Sequence, residues 1–205
     1  MKQYHHKNLY QVLISSTLEL LKTQSIKELS LRQVARHAGV SHAAPYRHFE
    51  NKAALLTVVS QSILTEFNDY LQDFVTQNNE QPAKQLNIMS VAYIRYALRH
   101  PTKYQLLFGH EGSEELNLLT QKGGPLKNCL RKNPNKTFQF LIDIVIAGQT
   151  QGIFKLVEAN TAALGIWISL HGLAMLLIQD KIRLKDTETV ALVTSMSNQI
   201  AGVKD

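Results

Sequence analysis

Apolar residues recur at helical spacing along almost the whole chain. Leu9, Val12, Leu13, Ser16 and Leu20 share one face and predict an amphipathic helix over residues 7–24, broken at 25–28. Ser30 is a good N-cap for a short second helix, whose buried stripe is Leu31, Val34, Ala35 and Ala38. Gly39 ends it, because glycine takes the left-handed backbone that a tight turn needs. Val40 anchors the turn, and Ser41 caps a third helix predicted to reach residue 49. A fourth, long helix begins at Asn51 and carries Ala54, Leu55, Val58, Val59, Ser62, Ile63, Phe67, Tyr70, Leu71 and Phe74 on its faces. The polar stretch 76–81 ends it.

Further helices are expected over 82–99, 101–109, 134–151, 161–179 and 186–201. Residues 110–133, with Gly112, Gly123, Gly124 and Pro125, read as loops around one or two short helices. No segment shows the alternation of a strand, so the expected class is all-α, with about nine to ten helices. Composition agrees. Apolar residues make up 44% of the chain, enough for a core, while 10 glycines and 5 prolines are few for a turn-rich fold.

Charge divides the chain unevenly. Residues 1–60 hold eight Lys/Arg against three acids, and five of the eight histidines; the remainder is nearly neutral. A basic small domain joined to a neutral larger one points to a polyanion partner for the first. Cys129 is the single cysteine, which excludes an intrachain disulfide and a cysteine zinc cluster and leaves a free thiol in a reducing cytoplasm as the expectation. The first ten residues are polar and show no signal-peptide core. The apolar run 162–178 is short for a bilayer span and contains Ser169, His171 and two glycines, so a helix buried at a subunit interface is expected and no membrane partner.

The segment Ser30 to Phe49, SLRQVARHAGVSHAAPYRHF, carries the candidate chemistry. Ala35 is small where two helices approach, Gly39 follows at the turn, and Ala43 and Ala44 leave the next helix uncluttered at its leading end. That end would offer free N–H groups and a positive dipole to phosphates or base edges. By itself an Ala-x-x-x-Gly pattern also fits an ordinary helical corner. The basic balance, the Tyr46/Arg47/His48 cluster and the Ser41 cap together favour a helix-turn-helix over residues 30–49.

AGVSHAAPYRHFENKAALL resembles the helix-turn-helix of the tetracycline-repressor (TetR) family of bacterial regulators. The matching positions are Gly39, Val40 and Ser41; Tyr46, His48 and Phe49; Lys52; and Leu55 with Leu56. The resemblance implies that Ser41, His42, Ala43, Tyr46, Arg47 and His48 face the major groove or its flanking phosphates. It further implies that Ser30 and Lys52 bind phosphates and that Phe49 is core. Arg47 can read guanine bidentately or bind phosphate. Pro45 departs from the family pattern, which has leucine or a similar residue there; the helix is expected to survive with a bend.

Residues 93–109, YIRYALRHPTKYQLLFG, and Trp167, His171 and Gly172 resemble the C-terminal domain of a subgroup named for its Trp-His-Gly signature. This implies a domain at 1–52 for DNA and one at 53–205 for dimerisation and ligand sensing, with 134–151 and 161–179 pairing with their copies in a homodimer. The implied partners are a double-stranded DNA operator and a small-molecule effector whose binding shifts the fourth helix and releases DNA. Tyr93, Tyr96, Phe108, Trp167 and His171 are candidates to line the effector pocket, with plain core aromatics as the other reading. No cofactor is expected. His100, His110 and Glu111 lack metal-ligand spacing. No nucleophile elbow, phosphate loop, HExxH helix or paired carboxylates at helical spacing occur, so no enzyme is expected. A DNA-binding protein without an effector, acting by occupancy or through a protein partner, fits the same residues.

Overall fold

The computed structural model describes residues 9–76, 81–108 and 136–203. The segment 110–133, with its expected short helices and Cys129, lies outside these, as do His110 and Glu111. The described residues form eight α-helices and no strand: α1 Leu9–Leu20, α2 Leu31–His37, α3 Lys52–Thr76, α4 Pro82–Arg99, α5 Pro101–Phe108, α6 Lys136–Thr150, α7 Ala159–Ile178 and α8 Asp186–Ala201. The all-α class is therefore observed. The chain divides into two compact units, Met1–Thr65 with Thr102–Lys127 and Glu66–Pro101 with Asn128–Asp205, so α3 contributes to both.

In the first unit the core is built from Leu13, Val34, Ala35, Leu55 and Val59, all fully buried, with Leu21, Leu31 and Phe49 nearly so. The buried face of α1 is Leu13, Ile14, Ser16 and Thr17. Leu13 and Ser16 of the expected stripe lie on it, while Leu9, Val12 and Leu20 are half-buried; Thr17 is buried with its hydroxyl donating to the Leu13 carbonyl at 2.8 Å. Helix α2 begins as expected: the Ser30 hydroxyl accepts the Gln33 N–H at 3.2 Å. It ends in a Schellman turn, with Val40 N–H donating to the Ala35 carbonyl at 3.0 Å and Gly39 N–H to the Arg36 carbonyl at 3.2 Å. Gly39 has φ +68°, which a β-carbon would strain.

In the second unit α4 packs on α6, α7 and α8, and α7 packs on α6 and α8. Phe67, Tyr93 and Tyr96 form an aromatic centre, all at most 2% exposed. Buried hydroxyls of Ser197 and Ser90 bond at 2.9 Å and tie α8 to α4. The α6–α7 connection is tightly built: Phe154 is fully buried over Gly148, where a β-carbon would overlap its ring. The Gln149 amide donates to the Lys155 and Val157 carbonyls at 3.0 and 2.8 Å. Glu158 then caps α7, accepting the N–H groups of Asn160 and Thr161. Hydrogen bonding from the Thr161 side chain, then from the Asn160 and Thr161 N–H groups, holds the Glu158 carboxyl below the usual carboxylate range.

Helix α7 is long and apolar enough to cross a membrane, with only 33% of its most apolar window buried. Its exposed stripe runs Ile168, Gly172 and Leu176, with Ile168 at 55% and Leu176 at 44% exposure.

Candidate nucleic-acid interface

The segment after the Gly39 turn is not the α-helix expected from Ser41 to Phe49. Only Pro45–Arg47 is helical, as one turn of 3₁₀. The bonds Ala44 N–H to Ser41, Arg47 N–H to Ala44 and His48 N–H to Pro45 all span three residues. The cause is Pro45. An α-helix capped at Ser41 needs a hydrogen bond from residue 45 back to residue 41, and proline has no N–H to give. The coil tightens instead, and Phe49 N–H to the Pro45 carbonyl, at 2.9 Å, is the one α-type bond. Sequence reading recognised Pro45 as a departure but expected a bend rather than this contraction.

The side chains sort cleanly along this turn. Pro45 and Phe49 are buried and pin it to the unit, while Ser41, His42, Ala43, Tyr46, Arg47 and His48 are exposed. Tyr46 is 55% exposed, which for a large aromatic marks display rather than packing. Tyr10 of α1 supports the turn from behind. Its ring stacks on Phe49 at 5.2 Å and meets the His48 ring edge-on at 6.0 Å. Composition held no sign of this role for Tyr10, because the pairing is between residues distant in sequence.

Around the turn lie further donors. Arg32 and Arg36 are exposed on α2, four apart and opposite its buried stripe, a spacing legible in the sequence but not used there. The Ser30 hydroxyl is engaged by Gln33, donating to its Oε1 at 2.9 Å, so the free N–H groups of the first α2 turn, rather than that hydroxyl, are what this corner offers an anion. Lys52, half-buried at the start of α3, donates from Nζ to the Lys27 carbonyl at 3.4 Å. The Asn51 side chain caps α3 by accepting Ala54 N–H at 2.9 Å.

The five effector-pocket candidates fall into separate groups. Tyr93 and Tyr96 contact Phe67 in the aromatic centre of the second unit, and Tyr96 also meets Tyr70 and His100. The Tyr96 hydroxyl donates to Glu66 Oε1 at 3.3 Å. Burial first, then the Glu66 carboxylate, push its pKa far above the ordinary 10.0. Trp167 and His171 stack on each other at 5.7 Å along one face of α7, with Phe138 against the Trp167 ring. Phe108 is buried on α5, against Tyr104, in the first unit. A cleft of ≈ 360 Å³ opens elsewhere in the second unit, lined by Asn68, Leu71 and Gln72 of α3 and Thr137, Gln139, Phe140 and Asp143 of α6. Sequence reading did not find it, since each wall is a helix face that looks merely amphipathic. Among the described residues no group of three or more His, Cys, Asp or Glu side chains is placed to hold a metal ion.

Comparison with known proteins agrees along most of the chain. Residues 13–59 match the model for bacterial regulatory proteins of the tetR family, and residues 86–199 match that for the tetracyclin repressor-like C-terminal domain. The Escherichia coli tetracycline repressor protein class C is 38% identical over 55 residues, 27% of this chain and 25% of that protein. Nucleoid occlusion factor SlmA of Aliivibrio fischeri is 25% identical over 103 residues, 48% of this chain and 50% of that protein. The chain thus spans about half the length of the SlmA relatives it matches. A Rhodococcus sp. RHA1 protein of unknown function has the same fold, with TM-score 0.76 and 25% identity over 98% of this chain and all of that one.

Proposed function

The chain belongs to the TetR family of bacterial transcriptional regulators, and from that premise we propose that it is a cytoplasmic, homodimeric repressor that binds a palindromic operator and leaves it when a small molecule occupies its second unit. The observation that carries this reading is the turn at 41–49. Buried Pro45 and Phe49 anchor it, and Tyr46, Arg47 and His48 stand out from it into solvent. An isolated protein gains nothing by displaying a tyrosine beside an arginine on a rigid turn. A groove lined with acceptors does, because Arg47 can pair with guanine or phosphate while Tyr46 reaches the backbone. The assigned DNA set is Ser30, Ser41, His42, Ala43, Tyr46, Arg47, His48 and Lys52, with Ser30 acting through the helix end that it caps.

Dimerisation is assigned to α7 and to the end of α6 around the exposed Ile146. The uncharged stripe Ile168–Gly172–Leu176 is too apolar to favour water, and a second copy would cover it. The Trp167–His171 stack beside Gly172 supports the Trp-His-Gly assignment of the C-terminal domain. Two recognition turns in a dimer would enter successive major grooves about 34–36 Å apart. Effector release follows if the ligand favours a state with a different separation, at a coupling energy of about 1–3 kcal/mol. As a family of transcriptional regulators, these proteins are not enzymes.

A gel shift on an operator fragment tests the core of this. Arg47→Ala is expected to weaken binding by about 1–3 kcal/mol, roughly fivefold to 150-fold, with no loss of fold. Unchanged affinity would remove Arg47 from the interface.

A further inference from the structure

The cleft between the far half of α3 and the start of α6 has a composition that selects its ligand. Its volume, ≈ 360 Å³, lies at the small end of the range of about 300–1,000 Å³ for small-molecule sites. Leu71, 1% exposed, supplies an apolar wall, and Phe140 supplies a half-buried aromatic one. The Thr137 hydroxyl donates to Asn68 Oδ1 and joins the two helices there. Among the described residues the lining carries one charge, the exposed Asp143 carboxylate. Gln139 Nε2 donates to Asp143 Oδ1 at 2.8 Å, which steadies that carboxylate and leaves Oδ2 to a ligand. Asp143 stands one helical turn from Phe140, so carboxylate and ring share a face of α6.

A carboxylate beside an aromatic ring over aliphatic surface is the pairing that holds an organic ammonium. The charge meets Asp143 and the ring face, and the hydrocarbon body covers Leu71. A carboxylate or phosphate ligand would instead meet the Asp143 carboxylate, a like charge, and lose hydration against Leu71 and Phe140. We infer that this cleft binds a small organic cation, an amine or quaternary ammonium on a compact apolar body. Resting on the reading of the chain as an effector-released repressor, we assign that cation as the effector. Helix α3 walls the cleft with its far half and begins, at Lys52, directly after the recognition turn. A ligand seated against Asn68, Leu71 and Gln72 therefore acts on the helix that carries the DNA-facing segment.

Calorimetric titration of the full chain with benzyltrimethylammonium chloride, with benzoate as an anion of similar size, tests the site. The cation is expected to bind saturably at one equivalent per chain and benzoate to show no binding. Asp143→Asn, at an exposed position, is expected to weaken the cation by about tenfold or more, and Phe140→Leu to weaken it while keeping an apolar wall. Thermal melts of both variants establish that they fold. Benzoate binding as strongly as the cation, absence of cation binding, or indifference to Asp143→Asn would each overturn the proposal while leaving DNA binding untouched. An operator gel shift in the same cation separates the two readings. Asp143-dependent binding that releases DNA upholds both. Asp143-dependent binding without release upholds the cation site and overturns effector release.

Discussion

Between Pro45 and Phe49, both buried, the side chains of Tyr46, Arg47 and His48 have no place in the core, and this alternation rather than helix periodicity defines the surface proposed to meet DNA. Residue identity and order made it legible in the sequence: Gly39-Val40-Ser41 and the Tyr46–Phe49 run were recognisable as they stand. Burial of Pro45 was not, because it depends on the core that α1 and α3 complete. Two glycines show how differently one residue type acts. Gly39 has open space around it, so Gly39→Ala is expected to cost about 1 kcal/mol from its backbone angle alone. At Gly148 the backbone is ordinary but Phe154 fills the space, and Gly148→Ala is expected to cost about 1–3 kcal/mol through overpacking. Chemical denaturation compares the two.

Tyr96 makes a pH prediction. The folded state holds its proton far above 10.0, whereas the unfolded chain releases it near that pH. Above 10.0 the unfolded state therefore binds fewer protons, and stability is lost as pH rises. Melting temperature is expected to fall through this alkaline range and to fall less steeply in Tyr96→Phe. Equal slopes would show that the burial of this phenol does not govern the decline.

At the scale of elements, most boundaries follow from local signals. Ser30 was legible as a cap, Gly39 as a stop and Pro101 as the start of α5, and each stands where the sequence placed it. Ser30→Ala is expected to lose about 1 kcal/mol of stability by denaturant melt, since the Gln33 N–H would be left without its acceptor. The recognition segment was misread in type. Its small residues and cap suggested an α-helix, but the missing Pro45 N–H outweighed them. Pro45→Ala restores that donor and is expected to raise helical circular dichroism slightly. An unchanged spectrum would show that packing of residue 45, not its missing hydrogen bond, holds the 3₁₀ turn.

For the whole molecule, the charge asymmetry leads the sequence reading to expect a small part for DNA and a larger helical part; the compact units divide inside α3. The sequence also marked α7 as too apolar for a lone surface helix; which of its positions are exposed needed the fold. Ile168→Glu and Leu176→Glu place a charge on the stripe assigned to the partner, and each is expected to turn the dimer into a monomer by light scattering at micromolar concentration. A dimer that survives both substitutions would move the interface elsewhere.

Selection of bound fragments from a random DNA pool by the full-length protein addresses the claim on which all else rests. An inverted repeat is expected to emerge, its half-sites about one helical turn apart, and Arg47→Ala is expected to lose that enrichment while remaining folded. A pool that shows no enriched sequence, or an inverted repeat recovered equally well by Arg47→Ala, would contradict the account.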